Sequence, residues 1–270
     1  MPSVPPSVVG AHIRAVSSAG VIGAKVGAGL VPARAAGVPR IFNPYGIGAS
    51  GAGGHKARPY DLCVIKTLYI IRHGQTDLNL RRIVQGSGVD APLNATGHAQ
   101  AAAFFRAFGH VPFDRVYTSA LQRAIESVRG FLDRGIPHIA TAALNEISWG
   151  RFEGLEATSE QHGQYLSAVD RWAAGDVDAR LEGGESPAEL AAVQRPFLEE
   201  LLGPATPPGT YLIAMHGRAM RILLCQLLRY PLREMDAFPH DNLALYELVH
   251  TGSICQVRRF NNLNYATPAD

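Results

Sequence analysis

Strand signals and helix signals alternate along the chain from Asp61 onward. The strand signals are short apolar runs rich in β-branched and aromatic residues, and a Thr-Gly turn separates the last two runs. The predicted strands cover residues 67–71, 115–118, 210–215, 243–249 and 254–259. Elements in this order place helices on both faces of one sheet. We therefore predict an α/β fold, a three-layer α/β/α domain around a mostly parallel central sheet, closed by an antiparallel pair.

The helices between the strands are indicated by their start signals and their apolar faces. Asn94 is a candidate N-cap for a helix that carries Phe104 and Phe108 on one face. Ser186 is followed directly by a proline and, three residues on, by a glutamate, which is the pattern of a capping box with proline in the first turn. Apolar residues at helical spacing also predict helices over 121–132 and 220–228.

Residues 1–60 differ from the rest of the chain in composition. They contain eleven glycines, seven prolines and six basic residues, and no aspartate or glutamate precedes Asp61. Such a segment has little apolar surface to bury, so we predict a disordered N-terminal extension over 1–60 and a domain over 61–265. The alternatives are an organelle transit peptide and a cleaved secretory signal. The segment lacks the helical amphipathicity of the first and the basic start and continuous apolar core of the second.

The charge balance argues against a nucleic-acid-binding protein. The chain has 25 basic and 23 acidic residues, but the basic residues of 1–60 leave 61–270 with a net charge of about −4. A membrane span is not predicted either, because Lys25 and Arg34 interrupt the best apolar stretch. The three cysteines have unrelated spacings, which indicates free thiols and a cytoplasmic location. If 1–60 were a transit peptide, the location would be organellar.

Basic and imidazole side chains follow three of the predicted strands. Arg72 and His73 come directly after the first strand, and Arg123 begins the helix after the second. His216 and Gly217 follow the strand over 210–215. Ligands of such sheets bind beyond the carboxyl ends of the strands, so we expect these residues to meet in one crevice. Two guanidinium groups beside helix N-termini suit a phosphate group.

The segment YIIRHGQTDLN, residues 69–79, resembles the signature of the histidine phosphatase superfamily, also called the phosphoglycerate mutase-like family. The resemblance continues through seven further blocks in order. They are Gln85-Gly86, DAPL (90–93), Thr96-Gly97, TSALQRA (118–124), LNEISWGRFEG (144–154), GGES (183–186) and AMHGRAMR (214–221). One RHG tripeptide would be weak evidence, whereas the ordered series from Lys66 to about Phe260 indicates membership and implies the fold of that family.

The resemblance implies a role for each residue of the crevice. His73 would be the nucleophile that becomes phosphorylated, and Glu146 the acid that protonates the leaving group. Three further residues would complete the phosphate pocket: Arg72, Arg123 and a protonated or hydrogen-bonding His216. Peripheral contacts to phosphate or substrate would come from Asn79, Gln85, Gly86 and Gly217. A neutral imidazole attacks phosphorus without a metal, so neither a metal nor a cofactor is predicted.

Other ionisable residues near these blocks have competing interpretations. Glu153 lies in the same block as Glu146 and is the alternative acid, whereas Asp90 and Glu185 are interpreted as structural carboxylates. Arg218, next to the second histidine, suggests a second anionic group on the substrate. The remaining histidines of the domain show no HxH or HExxH spacing, which argues against a metal site.

The resemblance leaves the acceptor of the phosphoryl group open. Mutases of the family carry a longer insertion after the acid, with a lysine and paired arginines, whereas 146–185 contains no lysine here. Its arginines are isolated ones, Arg151, Arg171 and Arg180. This favours hydrolysis of a small phosphomonoester. The alternatives are mutase-type phosphoryl transfer and a non-catalytic phospho-ligand-binding protein.

Two expectations complete the sequence-based picture. The segment that contains Tyr165 and Trp172 is predicted to cover the pocket and to select the leaving group. The predicted partner is a small-molecule phosphomonoester substrate, with no nucleic acid and no membrane. The sequence does not determine the oligomeric state, for which a homodimer is the working hypothesis.

Overall fold

The computed structural model describes residues 65–156 and 158–266 of the chain. Its strands are β1 (Lys66–Arg72), β2 (Arg115–Thr118), β3 (His138–Ala140), β4 (Gly209–Met215), β5 (Leu245–His250) and β6 (Cys255–Asn262). They form one sheet in the spatial order β3-β2-β4-β1-β5-β6. β1 and β2 each pair in parallel with β4, and β2 with β3, whereas β5 is antiparallel to β1 and to β6. The mostly parallel sheet with an antiparallel closing pair is therefore confirmed.

Seven α-helices connect the strands of the described region. They are α1 (Asp77–Leu80), α2 (Ala95–Phe108), α3 (Gln122–Ser127), α4 (Arg129–Leu132), α5 (Ser159–Ala173), α6 (Pro187–Leu202) and α7 (Gly217–Leu228). Short 3-10 turns occupy Ala142–Leu144, Gly150–Phe152, Leu232–Ala237 and Asn264–Ala266. Both predicted helix starts are confirmed. The Asn94 side chain accepts from the Gly97 N–H, and Ser186 and Glu189 exchange the two bonds of a capping box.

Two elements differ from the sequence-based prediction. The single helix predicted over 121–132 is two helices, which meet at Val128. Ser127 Oγ donates to the Arg123 carbonyl oxygen four residues earlier, at 2.6 Å, a side-chain bond that bends helices. Strand β3 was not predicted, because its three residues are all exposed and it pairs with β2 alone. It therefore lacks the apolar pattern that marks the other strands.

The apolar core lies on both faces of the sheet. One cluster packs sheet residues such as Ile70 and Met215 against α5, α6 and α7. The other packs Ile71 and Leu212 against α2, α3 and α4, around Phe104. Burial on both faces confirms the three-layer arrangement, and it leaves the carboxyl ends of β1, β2 and β4 side by side at one edge.

Several sequence-based predictions concern residues outside this description. The predicted extension over 1–60 and Cys63 lie outside the described residues. Within the described region, Cys225 and Cys255 are free thiols, as predicted. Of the helices over residues 65–156 and 158–266, none has the length and apolarity needed to cross a membrane.

Candidate active site

The residues that follow β1, β2 and β4 meet at one edge of the sheet. The ring centroids of His73, after β1, and His216, after β4, are 5.1 Å apart. Arg123, in the first turn of α3, donates from Nε to His216 Nδ1 at 3.1 Å. The parallel pairing of β1 and β2 with β4 produces this convergence, because it brings the three carboxyl ends to the same edge.

His73 is a buried, neutral imidazole with a defined tautomer. Its Nδ1 lies 2.7 Å from the Gly74 carbonyl oxygen, which can only accept, so Nδ1 carries the proton. Nε2 is consequently the nitrogen with a free lone pair. Burial, together with the positive charges of Arg72 and Arg123, holds the pKa of His73 well below its ordinary value of 6.5. The ring is therefore unprotonated at neutral pH, and the Nε2 lone pair is free.

His216 is also neutral, and both of its ring nitrogens bond to protein groups. Nδ1 accepts from Arg123, so the proton is on Nε2, which donates to Ser119 Oγ at 2.7 Å. Burial and the charge of Arg123 hold the pKa of His216 well below 6.5. The sequence left open whether His216 is protonated or a neutral hydrogen-bonding ring. In the structure it is the neutral, hydrogen-bonding ring.

Arg123 is completely buried, and all of its guanidinium nitrogens bond to the protein. Besides His216, it donates to the Val89 carbonyl oxygen at 2.5 Å and to the Gly86 carbonyl oxygen at 3.2 Å. Burial lowers its pKa to about 10, which leaves the group charged at neutral pH. In this arrangement Arg123 holds His216 and the 86–89 loop in place, and its positive charge acts on His73.

Two buried donors near His73 have no hydrogen-bond partner among the described residues. Arg72 donates from Nη1 to the His240 carbonyl oxygen at 2.9 Å, but its Nε is unpartnered. Gln85 accepts at Oε1 from Thr76 Oγ1 at 2.9 Å, but its Nε2 is likewise unpartnered. Unpartnered buried donors are costly, and an anion bound between them would satisfy both.

The Arg72 and Gln85 side chains both line a cleft of about 180 Å³. Five of the nine residues predicted for the site contribute to its wall: Arg72, His73, Asn79, Gln85 and Glu146. The other four, Gly86, Arg123, His216 and Gly217, are not part of that wall. Gly86 and Gly217 permit close packing instead. A Cβ on Gly86 would lie 2.0 Å from Glu153 Oε1, and one on Gly217 would lie 3.0 Å from the His240 ring.

Glu146 faces the cleft from the segment after the 3-10 turn Ala142–Leu144, and its carboxyl group lies at the first turn of α7. Its Oε1 accepts from the N–H groups of Ile147 at 3.0 Å and Ala219 at 2.8 Å, and its Oε2 accepts from the Arg218 N–H at 3.1 Å. These bonds hold the carboxyl group rigidly, and only 8% of the residue is exposed. The helix N-terminus and its unpaired N–H groups account for a carboxyl side chain at this position.

The alternative acid, Glu153, bonds to backbone N–H groups of two loops and lies outside the cleft wall. Its Oε1 accepts from the Trp149 N–H at 2.7 Å, and its Oε2 accepts from the Gly88 N–H at 2.8 Å. It thereby ties the 86–88 loop to the turn at 148–150 and does not contribute to the cleft wall. Of the two glutamates, Glu146 is therefore the one that faces the cleft.

A family comparison agrees with this arrangement. Residues 68–263 match the sequence profile of the histidine phosphatase superfamily, branch 1. The chain belongs to the histidine phosphatase superfamily. The resemblance noted in the sequence is thereby confirmed, together with the phosphoglycerate mutase-like fold.

Some relatives of this superfamily member are named as mutases and others as phosphatases. A 2,3-bisphosphoglycerate-dependent phosphoglycerate mutase from Mesorhizobium japonicum is 33% identical over 170 residues, covering 60% of this chain and 81% of the relative. The structure of a mycobacterial glucosyl-3-phosphoglycerate phosphatase with VO3 aligns with a TM-score of 0.63 at 27% identity, covering 72% of this chain and 98% of that one. The alpha-ribazole phosphatase from Shigella flexneri aligns with a TM-score of 0.64 at 25% identity, covering 73% and 96%.

The superfamily member also contains site residues that the sequence did not reveal. Ser119 bonds to His216, and Asn242 donates to the His73 carbonyl oxygen at 2.9 Å. His240, whose pKa burial and Arg72 lower to about 3, packs between Arg72 and Gly217. Ser119 lies inside a recognised block and could have been singled out as the first polar residue after β2. No local signal distinguishes Asn242 or His240.

Two expectations about the surroundings need correction. Tyr165 does line the cleft, but Trp172 is a core residue, whose Nε1 donates to the Ala179 carbonyl oxygen at 2.8 Å. The tryptophan in the cleft wall is Trp149. Arg218 is paired with Asp236 at 2.7 Å and lies over the Trp172 ring, so it is not available to a second anionic group.

The acidic and imidazole groups do not form a metal-ligand set. Among residues 65–156 and 158–266, no three His, Cys, Asp or Glu side chains cluster as the ligands of a metal ion would. Independence of metal remains a prediction, which the assay below tests.

Proposed function

We propose that this chain is a metal-independent phosphomonoesterase, which hydrolyses a small phosphorylated substrate through a phosphohistidine intermediate on His73. The observation that carries the proposal is the tautomer of His73. A buried imidazole with Nδ1–H bonded to Gly74 presents an unprotonated Nε2 in a cleft that also contains the unpartnered donors of Arg72 and Gln85. A nucleophile beside two free N–H donors is suited to an incoming phosphoryl group.

In the first step, His73 Nε2 attacks phosphorus as the bond from phosphorus to the ester oxygen breaks. Arg72 and Gln85 donate to the equatorial oxygens, where negative charge is distributed in phosphoryl transfer. Glu146, which faces the same cleft, enters this step in its protonated form and gives that proton to the departing oxygen. The products of the step are a free alcohol, a phosphohistidine and the Glu146 carboxylate.

In the second step, water attacks the phosphohistidine and the phosphorus–nitrogen bond breaks. The Glu146 carboxylate accepts a proton from the water, and inorganic phosphate leaves with His73 neutral again. The N–H groups of Ile147, Arg218 and Ala219 hold the carboxylate in position between the steps. Arg123 stays charged throughout and stabilises the anionic phosphoryl group at a distance.

Three ion pairs favour water over a second substrate as the acceptor. Each arginine of the stretch between Glu146 and Glu185 pairs with a carboxylate at 2.5 to 2.6 Å. The pairs are Arg151–Glu182, Arg171–Asp176 and Arg180–Glu189. None of these guanidinium groups lines the cleft, so they do not supply the cluster that would hold a phosphoglycerate for transfer. The names of the mycobacterial and Shigella phosphatases point the same way, whereas the names of the bacterial mutases support the transfer alternative.

The test measures turnover of p-nitrophenyl phosphate, an alkyl phosphate and 3-phosphoglycerate by the full chain with EDTA present. Wild type should hydrolyse the first two, and His73→Ala should lower turnover by roughly a thousandfold or more. Glu146→Gln should slow the alkyl ester by roughly a hundredfold or more. It should slow the nitrophenyl ester far less, because nitrophenolate leaves without a proton.

The outcomes separate the alternatives. A Glu153→Gln variant that shows the same dependence on the leaving group as Glu146→Gln would transfer the acid role to Glu153. Wild type and His73→Ala would each be mixed with an ester whose phosphate is radioactively labelled, and the reaction would then be stopped. Acid-labile radioactivity on wild type, but not on His73→Ala, would identify the phosphohistidine. Interconversion of phosphoglycerates without hydrolysis would establish the mutase alternative, and phosphate binding without any turnover would establish a binding protein.

A further inference from the structure

A second and larger cavity, of about 690 Å³, opens beside the cleft. Val84 and Tyr165 line both spaces, so the cavity begins where the phosphate site ends. Its apolar lining includes Phe152 and Leu181. A space of this size is in the range of sites that bind a drug-sized ligand, whereas a three-carbon acid would leave most of it empty.

The polar part of the cavity lining carries a net positive charge. Arg81 and Arg82 both contribute to it, and so does Glu156. Arg81 is paired with Glu156 at 2.7 Å. The Arg82 guanidinium has neither an ion pair nor a hydrogen bond to any residue in the described parts of the chain. One positive charge therefore remains for a ligand.

Arg82 is an exposed residue whose backbone adopts an unusual conformation. Arg82 directly follows the short helix α1 and its capping residue, and its φ is +58°, in the left-handed region. Glycine is the usual residue where a helix ends in this conformation, and a residue with a Cβ costs roughly 1 kcal/mol more there. The chain holds an arginine at a position where glycine would fold more easily, and the arginine borders the cavity.

We infer that the substrate is a phosphomonoester with a bulky leaving group that bears a carboxylate or another anion, and that this group occupies the cavity with its anion on Arg82. The inference rests on the proposed function. The phosphate binds in the cleft by His73, the body of the leaving group passes Val84 and Tyr165, and the apolar part of the lining takes up its carbon skeleton.

The experiment compares 2-naphthyl phosphate with 6-carboxy-2-naphthyl phosphate as substrates of the full chain. Wild type should have a KM roughly five- to tenfold lower for the carboxylated ester, as expected for one charge-assisted hydrogen bond at an accessible site. Arg82→Gln should abolish that difference by raising the KM for the carboxylated ester, with kcat unchanged. Glu156→Gln should enlarge it, because Arg81 loses its carboxylate partner. Arg106→Gln, which removes an exposed charge on α2, is the matched control and should leave the difference intact.

The possible failures are distinguishable. If wild type hydrolyses both esters with the same KM, or if Arg82→Gln affects both esters equally, the inference is wrong and the proposed function stands. If wild type hydrolyses neither naphthyl ester nor p-nitrophenyl phosphate, the proposed function fails, and the inference fails with it.

Discussion

Lowering the pH from 7 to 5 should reduce the free energy of unfolding by up to about 4 kcal/mol through His73 and His216. Both rings have a pKa held well below 6.5 by burial and by neighbouring guanidinium groups. The unfolded chain binds a proton at each imidazole as the pH falls through 6.5, whereas the folded state does not. Stability is therefore complete above about pH 6.5 and is lost progressively below it, down to the lowered pKa of the folded state.

The magnitude follows from the unfolded state. An imidazole with a pKa of 6.5 that stays neutral when folded contributes about 2 kcal/mol of destabilisation between pH 7 and pH 5. His216→Asn should therefore halve the contribution of the pair. Asn242→Ala is the matched control, because it removes a bond to the His73 carbonyl oxygen without removing a titrating group. It should lower stability at both pH values by the same amount.

The assay is urea unfolding followed by tryptophan fluorescence, since Trp149 and Trp172 lie in the core beside the site. The quantity compared is the change in unfolding free energy between the two pH values, not its absolute size, so packing losses in the variants cancel. His240, whose pKa is also lowered, adds to the wild-type change by the same mechanism, so the deciding quantity is the difference between wild type and His216→Asn. An unaltered change in His216→Asn, or a wild-type change below about 1 kcal/mol, would refute the reasoning that both rings are neutral in the folded protein.

Three further predictions concern stability and rate. Gly86→Ala should lower the unfolding free energy by roughly 2–4 kcal/mol in urea titrations, because the new Cβ would lie 2.0 Å from Glu153 Oε1; unchanged stability would contradict this. Lys66→Met should lower the unfolding free energy by roughly 1–3 kcal/mol in the same titration, because the buried ammonium donates to two carbonyl oxygens at the end of α6, at 2.6 and 2.9 Å. A more stable variant would contradict this prediction. Ser119→Ala should lower kcat for p-nitrophenyl phosphate roughly fivefold with little change in KM, because the Nε2–H group of His216 loses its acceptor. Equal kcat values for wild type and the variant would show that this bond does not orient the His216 ring.

The features that sequence reasoning predicted correctly depend on neighbours along the chain. The cap at Asn94 and the capping box at Ser186 join residues three positions apart, so both partners are visible in the sequence. Strands β1 and β4 are buried on both faces, and continuous apolar runs indicate such strands. Strand β3 has no such pattern, because the edge of the sheet does not bury it.

The amino-acid sequence by itself determined that four side chains meet at the site, because strand ends and helix starts place Arg72, His73, Arg123 and His216 at one edge of a parallel sheet. Tertiary structure decided how those side chains are used. Arg123 turns its nitrogens toward His216 and two loop carbonyls, and Glu146 caps the first turn of α7. These bonds join residues between 34 and 93 positions apart, and their geometry depends on how loops pack after the sheet has formed.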